Sequence, residues 1–283
     1  MDTLVSYAQN REDLYLWALL GHVKNGFYVD VGANHPELHS VTKLFYDRGW
    51  RGMNIEPNPE LYKTFLGTRK KDINVNVGVA DKESTLTFRN YPHHNGLSTF
   101  SEPIMRLHEE ENLPFEDSKV KVIPISRLLK KHKVPHIDFM KIDVEGFEVE
   151  VMNGNNWDKY RPKVLCIEAT VRHEVAPITE RLGYRLEFFD GLNNYYVDTK
   201  RGDEITIYNY APRVLVKAHG TSREAALESK VAELEATLAE KENQRRDLEN
   251  ELLNMRRFKS QPRNVINASK HLAQRYADKL SNQ

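Results

Sequence analysis

Cysteine is almost absent from this chain. The single residue, Cys166, sits in an apolar stretch, so no internal disulfide is available and a reducing compartment is expected. No run of about 18 apolar residues occurs, which excludes a helical membrane span. Met1-Asp2-Thr3-Leu4 lacks the basic and apolar regions of a signal peptide, so a cytoplasmic protein is expected. Net charge is missing as well: 41 Lys and Arg balance 41 Asp and Glu. A duplex nucleic-acid binder carries a surplus of basic surface, so nucleic acid is not the expected partner. The balance is uneven along the chain. From Arg256 onward there are seven basic residues and one acidic one, which leaves the body acidic and the tail basic.

Two glycines are also missing, from a place where they would matter. Gly26-Phe27-Tyr28-Val29-Asp30-Val31-Gly32-Ala33-Asn34-His35-Pro36 reads as a covered strand, rich in β-branched and aromatic residues, that ends on an acid and a tight turn. In an open α/β sheet, ligands bind at such strand ends, near a switch in strand order. A second apolar strand, Gly52-Met53-Asn54-Ile55, ends on Glu56, one βα unit further on. A carboxylate at that place suits the two hydroxyls of a ribose. A dinucleotide would need Gly-x-Gly-x-x-Gly to cradle its pyrophosphate, but Asn34 and Glu37 stand where the second and third glycines belong. Asp30 would repel phosphate besides. A nucleoside cofactor with a positive centre and no phosphate fits better, and S-adenosylmethionine is such a molecule. The plainer alternative is an ordinary strand-end turn.

Strands are expected at about 27–32, 52–56, 73–79, 137–143 and 163–168, alternating with helices at 6–24, 39–48, 59–67, 126–132, 147–154 and 173–182. That alternation predicts an α/β fold with a doubly wound, mostly parallel sheet. A β-rich insertion is expected over 84–125, and Tyr184–Phe189 with Tyr195–Val197 reads as a hairpin adding one antiparallel strand. The domain ends near residue 215. Over 222–258, Leu227, Val231, Leu234, Leu238, Lys241, Arg245, Leu248, Leu252 and Met255 keep a 4-3 spacing, the seam of a coiled coil with two basic residues inside it. A homo-oligomer, or docking to a partner, is expected from it; a lone solvated helix is the alternative. Residues 259–283 form a basic tail that reads as an amphipathic helix suited to an anionic membrane surface, or as a disordered or partner-bound end.

The second chemical feature is Ile137-Asp138-Phe139-Met140-Lys141-Ile142-Asp143-Val144-Glu145-Gly146-Phe147-Glu148. An apolar strand ends on Asp143, with Glu145 in the turn. The next strand, Val164-Leu165-Cys166-Ile167, ends on Glu168. Adjacent strand ends bring these acids to one edge, where like charges repel unless a proton or a cation intervenes. Asp143 and Glu168 are therefore candidate ligands for Mg²⁺ or Mn²⁺. His173 is the candidate base, and Glu145 competes for either role. Helix capping, or a salt bridge from Asp143 to Lys141 or Arg172, is the plainer account. Asp81 follows the third strand, where it would reach an adenine ring or cap a turn. His93-His94 is a candidate substrate loop, and Asn95–Phe100 a turn at the pocket wall.

Six segments occur in order: Gly26–Pro36, Phe45–Gly52, Asn58–Leu61, Asn76–Val79, Leu97–Phe100 and Ile142–Gly146. In these the chain resembles the FkbM-type S-adenosylmethionine-dependent methyltransferases, over about residues 6–200. The resemblance implies a class I methyltransferase fold, Rossmann-like, and O-methylation, often of sugar hydroxyls in glycans or natural products. It places Asp30, Gly32 and Asn34 in the cofactor loop, Glu56 on the ribose, and Asp143 where metal-using O-methyltransferases often carry an acid. Pro36 departs from the usual glycine-containing loop. The coiled coil and the tail lie outside the match. The expected acceptor is a glycan or another sugar-containing molecule, with the enzyme cytoplasmic and held near the inner membrane surface. Two other classes stay open: a non-catalytic scaffold presenting the coiled coil, and a methyltransferase of protein or nucleic acid. Against the latter, Glu168-Ala169-Thr170 carries an acid where an amide-methylating Asn-Pro-Pro-Tyr-type motif would stand.

Overall fold

A computed structural model describes residues 4–169 and 172–200. The expected domain end near 215, the coiled coil over 222–258 and the tail over 259–283 lie outside the described residues. Among the described residues, no helix is long and apolar enough to cross a membrane.

The main sheet has seven strands. In chain order they are β1 (Phe27–Val31), β2 (Arg51–Ile55), β3 (Ile73–Val75), β7 (Phe139–Ile142), β8 (Val164–Glu168), β9 (Tyr184–Phe189) and β10 (Asn193–Asp198). Between β3 and β7 in the chain, β4 (Gly78–Val79), β5 (Ser84–Asn90) and β6 (Glu116–Ile123) form a separate three-stranded sheet. The main sheet runs β3-β2-β1-β7-β8-β10-β9. Strands β3 to β8 pair in parallel, and β10 is antiparallel to both of its neighbours, as the hairpin reading requires. The chain winds outward from β1 through β2 to β3, then returns to place β7 on the other side of β1. The order therefore switches between β1 and β7.

Seven α-helices are described: α1 (Glu12–Leu20), α2 (Lys43–Asp47), α3 (Pro59–Thr68), α4 (Glu102–Glu110), α5 (Ile125–Lys131), α6 (Glu148–Asn153) and α7 (Arg172–Arg181). The central strands read as unbroken apolar runs because both faces are covered. Val29, Val31, Met140 and Ile142 pack against α5 and α6 through Leu128, Leu129, Val151 and Met152. Tyr28, Phe139 and Cys166 lie in the opposite core with Leu16, Leu19 and Leu20 of α1 and Phe45 of α2. Side chains alternate along a strand, so Asp30 and Lys141 fall on the second of these faces, with Tyr28 and Phe139.

Three expectations need correction. The helix expected over 6–24 is confined to α1; Leu4 and Ala8 are buried outside it, and Ala8 forms a β-bridge to His39. The strand expected over 73–79 is two strands in different sheets. Between them, the Asn76 side chain donates to the carbonyls of Glu56 and Pro57, and the chain passes from β2's neighbour to the small sheet. The insertion over 84–125 contains a helix, α4, besides its strands.

Candidate active site

The carboxyl ends of β1, β2 and β7 border a hollow of about 570 Å³, part of it open to solvent. Gly32, Asn34, Glu56, Asp143 and Glu145 all line it. Its apolar side is made by Ile55, Val77, Val79, Phe88 and Phe100. No Lys, Arg or His is among its lining residues.

Gly32 turns the chain at φ +76°, and a Cβ there would lie 1.9 Å from the Asp143 carbonyl oxygen. Only glycine allows both the left-handed conformation and the close approach. Asn34 is also left-handed, at φ +52°, and its backbone N–H donates to the Glu56 carboxylate at 2.7 Å. The other Glu56 oxygen accepts from the Asn58 N–H at 2.8 Å. Asn58 in turn caps α3, with Pro59 at its first position. Glu56 thus ties the loop after β1 to the loop after β2. It is buried, and burial pushes its carboxyl up to about 8 despite the two N–H groups that favour the charged form.

On the other side, Asp143, Glu145 and Glu168 bring one oxygen each within 4.8 Å of one another. Glu145 sits at φ +53°, an uncommon conformation for a residue with a side chain. Two contacts hold that turn. The buried Thr99 hydroxyl donates to the Glu145 carbonyl at 2.7 Å, and one Glu148 oxygen accepts from the N–H groups of Val144 and Gly146. Burial, then Glu168 and Asp143, push the Glu145 carboxyl up to about 10.

Lys141 joins the two sides. Its ammonium lies 3.0 Å from Asp143 and 3.6 Å from Asp30, and donates to the Gly32 carbonyl at 3.1 Å. Burial alone would lower it, but Asp143 and Asp30 outweigh burial and hold it above the ordinary lysine value. The salt bridge weighed as the plainer role for Asp143 is thus present, alongside its place in the acid cluster.

Asp30, expected in the cofactor loop, lies behind that loop and not at the hollow. Asp30 is 1% exposed and does not line the hollow. It accepts from the Thr42 hydroxyl at 3.0 Å and faces Lys141, its register partner on β7. Strand alternation puts it on the α1 side of the sheet, behind the loop it was expected to serve. Asp81 is also displaced. It is exposed and lines a neighbouring hollow, because the strand before it belongs to the small sheet. His93 and His94 are exposed and do not line the first hollow, whereas Asn95, Gly96 and Ser98 do. His173 lies in the first turn of α7, and its side chain is outside what is described.

Lys141, Thr99 and Glu148 were not put forward as site residues from sequence. Lys141 had a signal, a lone cation inside an apolar strand. Thr99 and Glu148 had none that distinguishes a turn brace from a surface residue.

The family model described as the methyltransferase FkbM domain matches residues 30–244. The chain belongs to that family. No curated protein matches it. Among solved structures it is similar to the methyltransferase FkbM from Methylobacillus flagellatus KT, at 16% identity and a TM-score of 0.42, over 64% of this chain and 47% of that one. The chain thus spans less than half the length of that protein. It is also similar to a putative RNA methyltransferase from Pyrococcus horikoshii (10% identity, TM-score 0.35, 67% of this chain and 82% of that one). A third is the precorrin-6y C5,15-methyltransferase from Geobacter metallireducens GS-15 (14% identity, TM-score 0.34, 67% and 87%).

Membership of the FkbM methyltransferase family implies S-adenosylmethionine as methyl donor, and the residues present fit it. The lining offers the Glu56 carboxyl group, an apolar slot, and no cationic side chain to oppose a sulfonium and an ammonium. The same lining disfavours a pyrophosphate.

Proposed function

We propose that the protein is an S-adenosylmethionine-dependent O-methyltransferase that modifies a hydroxyl of a sugar-containing acceptor. One observation carries the reading: Glu56, Asp143 and Glu145 line one hollow that no basic side chain lines, and Glu168 joins Asp143 and Glu145 in a carboxylate cluster at its wall.

Bound there, S-adenosylmethionine would supply an electrophilic methyl group on a sulfonium. Glu56 spends one lone pair of each oxygen on a backbone N–H, which leaves others for the two ribose hydroxyls. Gly32 keeps the β1 loop low enough for a ligand to lie across it. Ile55, Val77 and Val79 offer a slot for a flat base. Lys141, bonded to the Gly32 carbonyl, fixes the loop from behind.

On the acceptor side, methyl transfer forms a C–O bond, breaks a C–S bond, leaves the electron pair on sulfur and releases the hydroxyl proton. Glu145 is placed to receive that proton. It accepts only in its ionised form, which burial and the neighbouring acids disfavour, so its own proton must first go to solvent. Thr99 and Glu148 hold the turn in position. His173, just beyond the strand that ends on Glu168, is the second candidate for the proton. Alignment of the acceptor oxygen with the methyl group supplies the larger share of the rate, about 7–11 kcal/mol at the upper end. Asp143, Glu145 and Glu168 are oxygen donors that fit Mg²⁺ or Mn²⁺, and such an ion would lower the pKa of an acceptor hydroxyl. The heptads over 222–258 would join copies of the chain or dock it to a partner, and the basic tail would rest on an anionic membrane surface.

Titration calorimetry with S-adenosylhomocysteine, with and without Mg²⁺ or Mn²⁺, tests the reading. Micromolar binding is expected, and tighter binding with metal supports the carboxylate cluster as its site. A folded protein that binds nothing under either condition sinks the proposal.

A further inference from the structure

A second hollow opens beside the first and holds about 1200 Å³ of space, part of it solvent. Phe100 and Phe147 line it, with ring centroids 5.8 Å apart. The two hollows share Phe100. Between them stands one turn, in which Glu145 lines the first hollow and Gly146 the second. The second hollow thus lies next to the residue proposed to take a hydroxyl proton.

The wall of this hollow is one-sided in charge. Asp81, Glu102, Glu150 and Glu174 line it against a single basic residue, Lys82. After burial, Asp81 and Glu174 both raise the Glu150 carboxyl, so these three acids share one electrostatic neighbourhood. They do not form an ion cage: among the described residues, only Asp143, Glu145 and Glu168 converge within 4.8 Å. Spread carboxylates beside two aromatic rings suit an extended organic molecule. Hydroxyls donate to the carboxylates, and an ammonium gains from both the carboxylates and the ring faces. A phosphate or carboxylate would meet repulsion.

We infer that the second hollow seats the methyl acceptor and selects an amine-bearing, polyhydroxylated molecule of the aminosugar class over an anionic one. This rests on the methyl-transfer reading of the first hollow. It removes nucleotide sugars and lipid-linked diphosphates bound through their phosphates from the acceptors that reading leaves open.

The test uses the full chain saturated with S-adenosylhomocysteine, at pH 6, and three tetrasaccharide probes in titration calorimetry: glucosamine, N-acetylglucosamine and galacturonate. The glucosamine tetramer is expected to bind about tenfold more tightly than the galacturonate tetramer, with the acetylated one between. Asp81→Asn with Glu150→Gln should narrow that ratio to about threefold or less. Leu86→Trp, which fills the hollow, should weaken the glucosamine tetramer about tenfold and leave S-adenosylhomocysteine binding unchanged. Ser84→Trp plugs the same space if Leu86→Trp does not fold. Galacturonate binding as tightly as glucosamine, plug variants without effect, or no probe bound by a protein that binds S-adenosylhomocysteine would each overturn the inference and leave the methyl-transfer reading standing. Failure of S-adenosylhomocysteine itself to bind the folded wild-type chain removes both.

Discussion

Gly32 lies directly against Asp143. The backbone of one loop meets the backbone of the other where the strand order switches, with the Asp143 carbonyl oxygen 1.9 Å from where a Cβ on Gly32 would be. The two sides of the hollow are therefore held at a separation that only glycine permits. Gly32→Ala would force a side chain into φ +76° and push the Asp143 turn away. We expect a stability loss of about 1–3 kcal/mol from backbone strain, seen in a denaturant melt. A fall in S-adenosylhomocysteine affinity of about tenfold or more should accompany it, because the carboxylates at the two ends no longer match one ligand. Unchanged affinity in a destabilised variant would mean that the close approach serves folding alone.

Lys141 is the cation that two otherwise unfavourable carboxylates share. Lys141→Met would leave Asp30 buried with its main counter-charge gone. Removing one partner of a buried ion pair commonly costs about 3–5 kcal/mol, and a loss in that range is expected in chemical denaturation. Adding Asp30→Asn to the same chain should recover part of it, since a neutral amide needs no cation. A double variant no more stable than the single one would show that Asp30 is not the group Lys141 compensates.

Much of this site could be read from strand ends. The acids at the ends of β7 and β8 were expected to meet because parallel neighbours end at one edge, and Asp143 and Glu168 do come together, with Glu145 in the same cluster. Glu56 was placed by the same reasoning. The burial of Asp30 was not legible, because a motif marks a position along a strand, whereas the face a side chain takes depends on counting in twos from the strand end. Tyr28 and Asp30 share a face, and that face packs on α1 and α2. The break between β3 and β4 was hidden by the unbroken alternation of apolar residues from Ile73 to Val79. Nothing local in Asn76 reveals that the chain changes sheets there. Lys141 was legible only as an anomaly, since its partners come from one strand and two loops.

Glu145 carries the proposed proton-accepting role, so Glu145→Gln separates chemistry from binding. The amide keeps the shape of the turn, which is held through the Glu145 carbonyl and not its side chain. Turnover is expected to fall by about 10²–10⁴, with S-adenosylhomocysteine affinity within a few-fold of wild type. Asp143→Asn should likewise abolish turnover while sparing the cofactor. Single-turnover kinetics beside calorimetry resolve the two effects. If either variant loses the cofactor instead, its residue belongs to binding rather than to chemistry.

Stability should fall as pH rises through the upper neutral range, the reverse of what paired carboxylates produce. Burial pushes Glu56 from its ordinary 4.5 up to about 8, and Glu145 up to about 10. Between the unfolded and folded values the native state binds more protons than the unfolded chain. The derivative of unfolding free energy with pH is then negative. The stabilising protonated state is fully present below the unfolded value and is lost as pH climbs through the folded one. His35 and His39, which burial holds below their ordinary 6.5, have finished titrating before pH 8 and do not oppose the trend. Thermal midpoints are therefore expected to drop by several degrees between pH 7 and pH 9. Glu56→Gln should flatten the slope, because a neutral amide in that place has no proton to lose. A midpoint that does not fall over that interval would mean that Glu56 and Glu145 are already ionised in the native protein.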